Sequence, residues 1–227
     1  MKKTILIFSL FFLLRAASLE TLSYNAQFKN IGAGTAILRT KSLDNEKEIY
    51  FSFKTKKFVD LFYKIRENIL MIVNSDNYSL KFLTTDSQNG KRFKKHEAHF
   101  SYSDNKVYFN NDSLIINQFV YNPISIISFL RNQKLSIGNK YNFDIYNRGK
   151  IKSIGMEVIN EETVKIKKKS YDCFVLVPFY LSSADENNKK GDIKLWIAKD
   201  SSLPIIIEQN ANFGEISLKL SDVNYEH

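Results

Sequence analysis

The chain has little of what staples, breaks or activates a protein. It holds one cysteine, Cys173, among 227 residues, so no internal disulfide can form. It has three prolines and eight glycines, and no Gly/Ser-rich or Pro-rich linker divides it. It has three histidines, His96, His99 and His227, which leaves few partners for a nucleophile. A cysteine or serine nucleophile needs a nearby base, and no serine–histidine–acid arrangement is legible. After residue 18 no apolar run is long enough to span a bilayer as a helix.

What is present begins with an export signal. Met1-Lys2-Lys3 is basic, Thr4–Leu14 is largely apolar, and Ala16-Ala17-Ser18 offers small residues for cleavage after Ser18. Residues 1–18 therefore read as a signal peptide. The alternative is an uncleaved anchor, which Arg15 beside the cleavage site keeps open. No cysteine follows the run, which excludes a lipid-modified N-terminus. Residues 19–227 suit a single β-barrel-like domain better than two small ones, exported and soluble in the periplasm. Eighteen Phe and twelve Tyr supply bulk for a core without staples. The formal charge of +9 falls by three when Lys2, Lys3 and Arg15 leave with the signal. The remaining positive charge is spread over strands and turns and reads as a drift toward Lys, Asn, Ile and Phe; the alternative is an anionic partner such as lipid headgroups or polysaccharide. Export argues against a nucleic-acid partner.

Most of the chain alternates apolar and polar residues with a period of two. In Ile193–Ile207, Ile193, Leu195 and Ile197 face one way and Lys194, Trp196 and Ala198 the other. Lys199-Asp200-Ser201-Ser202 is the turn, with Asp200 bonding locally, and Pro204 opens the return strand. Similar segments run from Glu20 to Asp222. Lys150–Ile159 and Glu162–Lys168 read as separate strands, Phe58–Tyr63 as a short helix or irregular crossing, and Ser182–Lys190 as a long polar loop. Gln88-Asn89-Gly90 is the strongest turn signal. The period breaks at Asn122–Asn132, which reads as a helix. Asn122 is its N-cap and Pro123 its first residue. Arg131 complements the dipole and Asn132 takes a left-handed exit. The fold class is all-β and mainly antiparallel: a large sheet curled into a closed or half-open barrel, with one short helix at an end.

Local clusters point to no chemistry. His96-Glu97-Ala98-His99 lacks the zinc-protease spacing, and on a strand its two imidazoles face opposite sides, so it reads as surface residues of a basic strand. No metal and no cofactor is expected. Gly32-Ala33-Gly34 has no third glycine and no following helix; it reads as a bend or a close approach. Cys173 alternates with Val175 and Val177 and reads as a buried, inert thiol. Glu161-Glu162 falls at a turn. Lys91-Arg92-Phe93-Lys94-Lys95 and Lys165-Ile166-Lys167-Lys168-Lys169 read as solvated strand ends that discourage edge pairing. The alternative is contact with anionic headgroups.

The order of several residues resembles a family of exported bacterial proteins catalogued as a domain of unknown function, number 3108. The resemblance rests on Gly32–Ala36, Phe58-Val59-Asp60 before Tyr63, Asn122-Pro123 with Ser125 leading to Phe129-Leu130-Arg131, Gly138, Cys173–Pro178, Leu195-Trp196 with Asp200 and Pro204, and Gly214. Asn122 departs from the family's usual Asp. The resemblance implies no activity. The Trp196…Asp200…Pro204 hairpin is also similar to one in periplasmic lipoprotein carriers, whose half-barrels hold acyl chains, and this implies a lipid-binding role. Expected first is a non-enzymatic module binding a lipid or acyl chain in the barrel interior, lined by Phe53, Phe129 and Trp196. The alternative is a structural or protein-interaction component of the envelope with no small ligand.

Overall fold

The computed structural model describes residues 18–29, 31–179, 193–211 and 214–226. All but the last residue of the expected signal, and the 182–190 loop, lie outside them. Among the described residues, fifteen strands and two short helices make up the fold. The first group is β1 (Leu19–Phe28), β2 (Ile31–Ser42), β3 (Glu46–Thr55), α1 (Lys57–Asp60), β4 (Ile65–Asn74), β5 (Leu80–Asn89), β6 (Arg92–Ser101), β7 (Lys106–Phe109) and β8 (Asp112–Ile115). Then come β9 (Val120–Tyr121), α2 (Pro123–Leu130), β10 (Lys140–Asn147), β11 (Lys150–Ile166), β12 (Lys169–Phe179), β13 (Ile193–Ala198), β14 (Pro204–Ala211) and β15 (Gly214–Glu226).

All the strands belong to one sheet, in the order β8-β7-β6-β5-β4-β3-β2-β1-β15-β14-β13-β12-β11-β10-β9. Every neighbouring pair is antiparallel except β9–β10. The period of two becomes an inner face. Leu22, Leu38, Phe51, Ile69, Thr85 and His96 are successive cross-strand partners. On the other half Ala26, Leu218, Ile207, Leu195, Leu176 and Val158 continue the same face. These apolar residues pack into one core with α2.

The sheet curls but does not close. Its two edges, β8 and β9, are separated in the chain by residues 116–119, so they lie within about 18 Å of each other even with the link fully extended. Side chains bridge the seam. The Tyr102 hydroxyl accepts from Val120 N at 3.3 Å, and Tyr146 packs against Phe100 and Phe109. The Asn147–Lys150 turn folds onto this seam closely enough that a Cβ at Gly149 would meet the Phe109 ring.

Several sequence expectations change. β11 is one strand of 17 residues, with a bulge between Val158 and Asn160 where a break was read. Glu161 and Glu162 therefore lie in a strand. His96 is buried while His99 is exposed, so the two rings do face opposite sides but only one is at the surface. Cys173 is fully buried, and burial pushes its thiol up to about 12. Gly34 is a close approach: a Cβ there would lie 2.5 Å from the Lys54 carbonyl oxygen.

α2 begins as its sequence dictates. Ile124 N donates to Asn122 Oδ1 at 2.9 Å, and Asn122 N donates to Ser125 Oγ at 3.0 Å, a reciprocal capping box. It ends differently. Asn132 is not in a left-handed conformation. The last turn tightens instead, with Asn132 N and Gln133 N bonding to the carbonyls of Phe129 and Leu130, which satisfies two terminal acceptors.

Candidate functional site

Antiparallel strands of about ten residues give the barrel two ends roughly 30 Å apart. At one end lie the starts of β1 and β3, the ends of β2 and β15, the β13–β14 turn and the C-terminus of α2. Together they frame a cleft of about 580 Å³.

Its floor is an ion pair. Arg131 donates through Nη1 to Glu20 Oε2 at 2.5 Å and through Nη2 to Oε1 at 2.9 Å. Its Nε donates to the Ser202 carbonyl at 3.0 Å. The two side chains are 11% and 18% exposed. Burial works against the guanidinium charge, but the bonds and charge of Glu20 prevail and hold the Arg131 pKa above its ordinary value. Arg131 thus ties the end of α2 to mid-sheet β1 rather than only facing a dipole. Beneath it the Tyr24 hydroxyl donates to the Pro204 carbonyl at 3.0 Å, and burial raises its pKa.

The cleft walls are polar. Thr40, Ser42, Ser128 and Asn132 offer hydroxyls and an amide, while Lys47, Lys134 and Glu226 add charge. Lys47 donates to the Tyr78 hydroxyl, and its Nζ lies 4.4 Å from that ring's centroid, a cation–π contact. Among the described residues, neither histidine nor cysteine lines the cleft.

A second polar group occupies the inner face nearer the other end. His96 Nε2 lies 2.8 Å from the Tyr146 hydroxyl, and Arg148 Nη2 donates to Ser87 Oγ at 3.0 Å. Half-buried Glu67 is paired in register with Phe53 and Ser87. Thr85 Oγ1 is buried without a hydrogen-bond partner among the described residues. Burial, then the positive charge of Arg148, lowers the His96 pKa. Burial raises that of Glu67 against the opposing pull of Arg148. Burial also pushes the Tyr146 phenol up to about 12. Among the described residues no group of three or more His, Cys, Asp or Glu is placed to hold a metal ion.

The three residues expected to line an apolar cavity do not come together. Phe53 sits on the inner face between Ala36 and Glu67. Phe129 packs edge-to-face on Tyr121, Tyr141 and Phe143. Trp196 follows inward-facing Leu195 and so points to the outer face. There its Nε1–H donates to Glu162 Oε2 at 2.8 Å, and Lys194 Nζ lies 4.3 Å over the ring. Asp200 lies in the β13–β14 turn, which closes at left-handed Ser202. The sequence reading passed over Glu20 as a site residue, although it shares parity with buried Leu22 and Tyr24, an inward acid two positions before core.

Comparison with known proteins reaches the fold and stops there. The profile of a family described as "Protein of unknown function (DUF3108)" matches residues 23–221. The crystal structure of a beta-barrel-like protein of domain of unknown function DUF1849 from Brucella abortus superposes with a TM-score of 0.62 at 10% identity. The match covers 93% of this chain and 98% of that one. None of the curated proteins compared with the chain matches it. Among the described residues no helix is long and apolar enough to cross a membrane.

Proposed function

The chain belongs to the family of unknown function DUF3108, which brings a fold and no reaction, and we propose that it is a non-enzymatic, exported binding module of the cell envelope. Its ligand seats in the cleft at the α2 end. The observation that carries this is a cleft of about 580 Å³ floored by the Arg131–Glu20 pair. That volume is typical of small-molecule sites, and a bidentate pair on packed elements is a rigid base for recognition.

The lining sets the ligand class. Serine and threonine hydroxyls, Lys47, Lys134 and Glu226 suit a polar molecule or the polar head of an envelope lipid, not an acyl chain. The inward apolar residues pack against one another and against α2, so the guest sits at the mouth and not in the interior. Export is supported by the sequence of residues 1–18.

The test is native mass spectrometry of the chain isolated from an envelope fraction. The parent is expected to retain an adduct that Ser42→Trp, which fills the cleft, and Lys134→Glu weaken at least tenfold. No adduct on the parent, or the same adduct on both variants, would remove this reading.

A further inference from the structure

The far end of the barrel carries a surface that the cleft does not explain. Leu61 is 83% exposed and Phe62 86%, with Ile31, Phe58, Tyr63 and Phe93 also exposed. Single exposed apolar residues are ordinary, but these form one rim. Lys56 N donates to the Ala33 carbonyl at 2.9 Å, joining the β3–α1 link to the β1–β2 hairpin. Gly90 N donates to the Lys64 carbonyl at 2.7 Å, joining the α1–β4 link to the β5–β6 turn. The Tyr63 ring lies against Gly90.

The loop that presents Leu61 and Phe62 is fastened from behind. Arg66 Nη1 donates to Thr55 Oγ1 at 2.9 Å and to Asp60 Oδ1 at 3.0 Å, and Thr55 Oγ1 accepts from Ile65 N at 3.0 Å. The apolar side chains are therefore held outward by a polar knot, not left out by a loose segment.

Charge identifies what they face. The same three connections, with the first residue of β6, carry Lys29, Lys56, Lys57, Lys64, Lys91 and Arg92 against one carboxylate, Asp60; further along β6, Lys95 meets Asp86 at 3.8 Å. Asp60 is spoken for by Arg66. Exposed aromatics and leucine ringed by lysine and arginine match the two layers of an anionic bilayer interface, acyl boundary and headgroups.

We propose that this rim docks the protein on an anionic lipid surface, with Leu61 and Phe62 entering the headgroup–acyl boundary and the six cations around them meeting phosphates. The inference is independent of the cleft, which lies at the opposite end.

The test uses the chain from Ser18 onward, which holds every described strand and helix, and flotation with mixed phosphatidylcholine–phosphatidylglycerol vesicles against pure phosphatidylcholine. Binding is expected to the anionic vesicles and to weaken with salt. Leu61→Ser with Phe62→Ser is expected to weaken it at least tenfold. Each of Lys57→Gln, Lys91→Gln and Arg92→Gln is expected to cost about fivefold. Lys168→Glu with Lys169→Glu, in the basic cluster at the cleft end, is expected to leave it unchanged. Phe62→Trp provides a local readout beside the buried Trp196, its emission shifting blue only with anionic vesicles. Circular dichroism confirms that each variant is folded. Absence of flotation by the parent overturns the proposal, as does equal weakening by the Lys168/Lys169 pair. Rim-dependent binding to an acidic protein in place of vesicles also overturns it.

Discussion

His96 and Glu67 face the same polar pocket of the inner wall, near Arg148 and Tyr146, yet their titrations pull stability in opposite directions. The His96 pKa is lowered by burial and then by Arg148. Below the ordinary imidazole range the unfolded chain takes a proton that the folded chain refuses, so stability falls as pH drops from neutral. The Glu67 pKa is raised, chiefly by burial. The folded chain then holds a proton more readily, and stability is lost as pH rises above the ordinary carboxylate range. His96→Phe is expected to cost about 1 kcal/mol at neutral pH, because the buried Tyr146 hydroxyl loses one of its partners, and to flatten the decline between pH 7 and 5. Glu67→Gln is expected to raise neutral-pH stability and leave the histidine-dependent decline intact. Urea denaturation across that range measures both. The burial of His96 was legible in principle, since it shares parity with Ala98 and Phe100. The lysines around it pointed the other way because Lys94 shares that parity but lies close enough to the barrel mouth to reach water.

Among the elements, α2 was the most readable and its anchoring the least. The Asn122-Pro123…Ser125 order specifies a helix start from neighbouring residues alone. Asn122→Ala is expected to cost about 1 kcal/mol. Ser125→Ala should add less than its separate effect, because the capping box shares its bonds; thermal or urea unfolding of the single and double variants checks this. The Arg131–Glu20 pair joins residues 111 positions apart, and no local pattern announces such a contact. β11 shows a related limit. Ile159 breaks the alternation, and a bulge and a turn look alike until the partner strand β12 is seen to continue past it. Strand alternation therefore revealed the faces, while pairing decided where elements end.

For the whole molecule, the open barrel was legible as a long antiparallel meander, but the place where it starts was not. β1 pairs with β15 in the middle of the sheet, Leu19 opposite Glu226, and the two edges adjoin in sequence. Joining Glu226 to Leu19 with a short flexible linker and cutting between exposed Asn117 and Gln118 makes every strand follow its spatial neighbour. That permuted chain is expected to fold, with stability within about 2 kcal/mol of the parent, as read by urea denaturation and near-ultraviolet circular dichroism. Failure to fold would show that the 116–119 crossing is needed to bring the seam together. The same wiring has a practical side. Ser18, Leu19, Tyr225 and Glu226 all border the cleft, so an affinity handle joined directly to Ser18 or to Glu226 hangs across the mouth as a tethered competitor, at roughly millimolar effective concentration. A handle spliced into the crossing at 117–118 leaves that doorway clear.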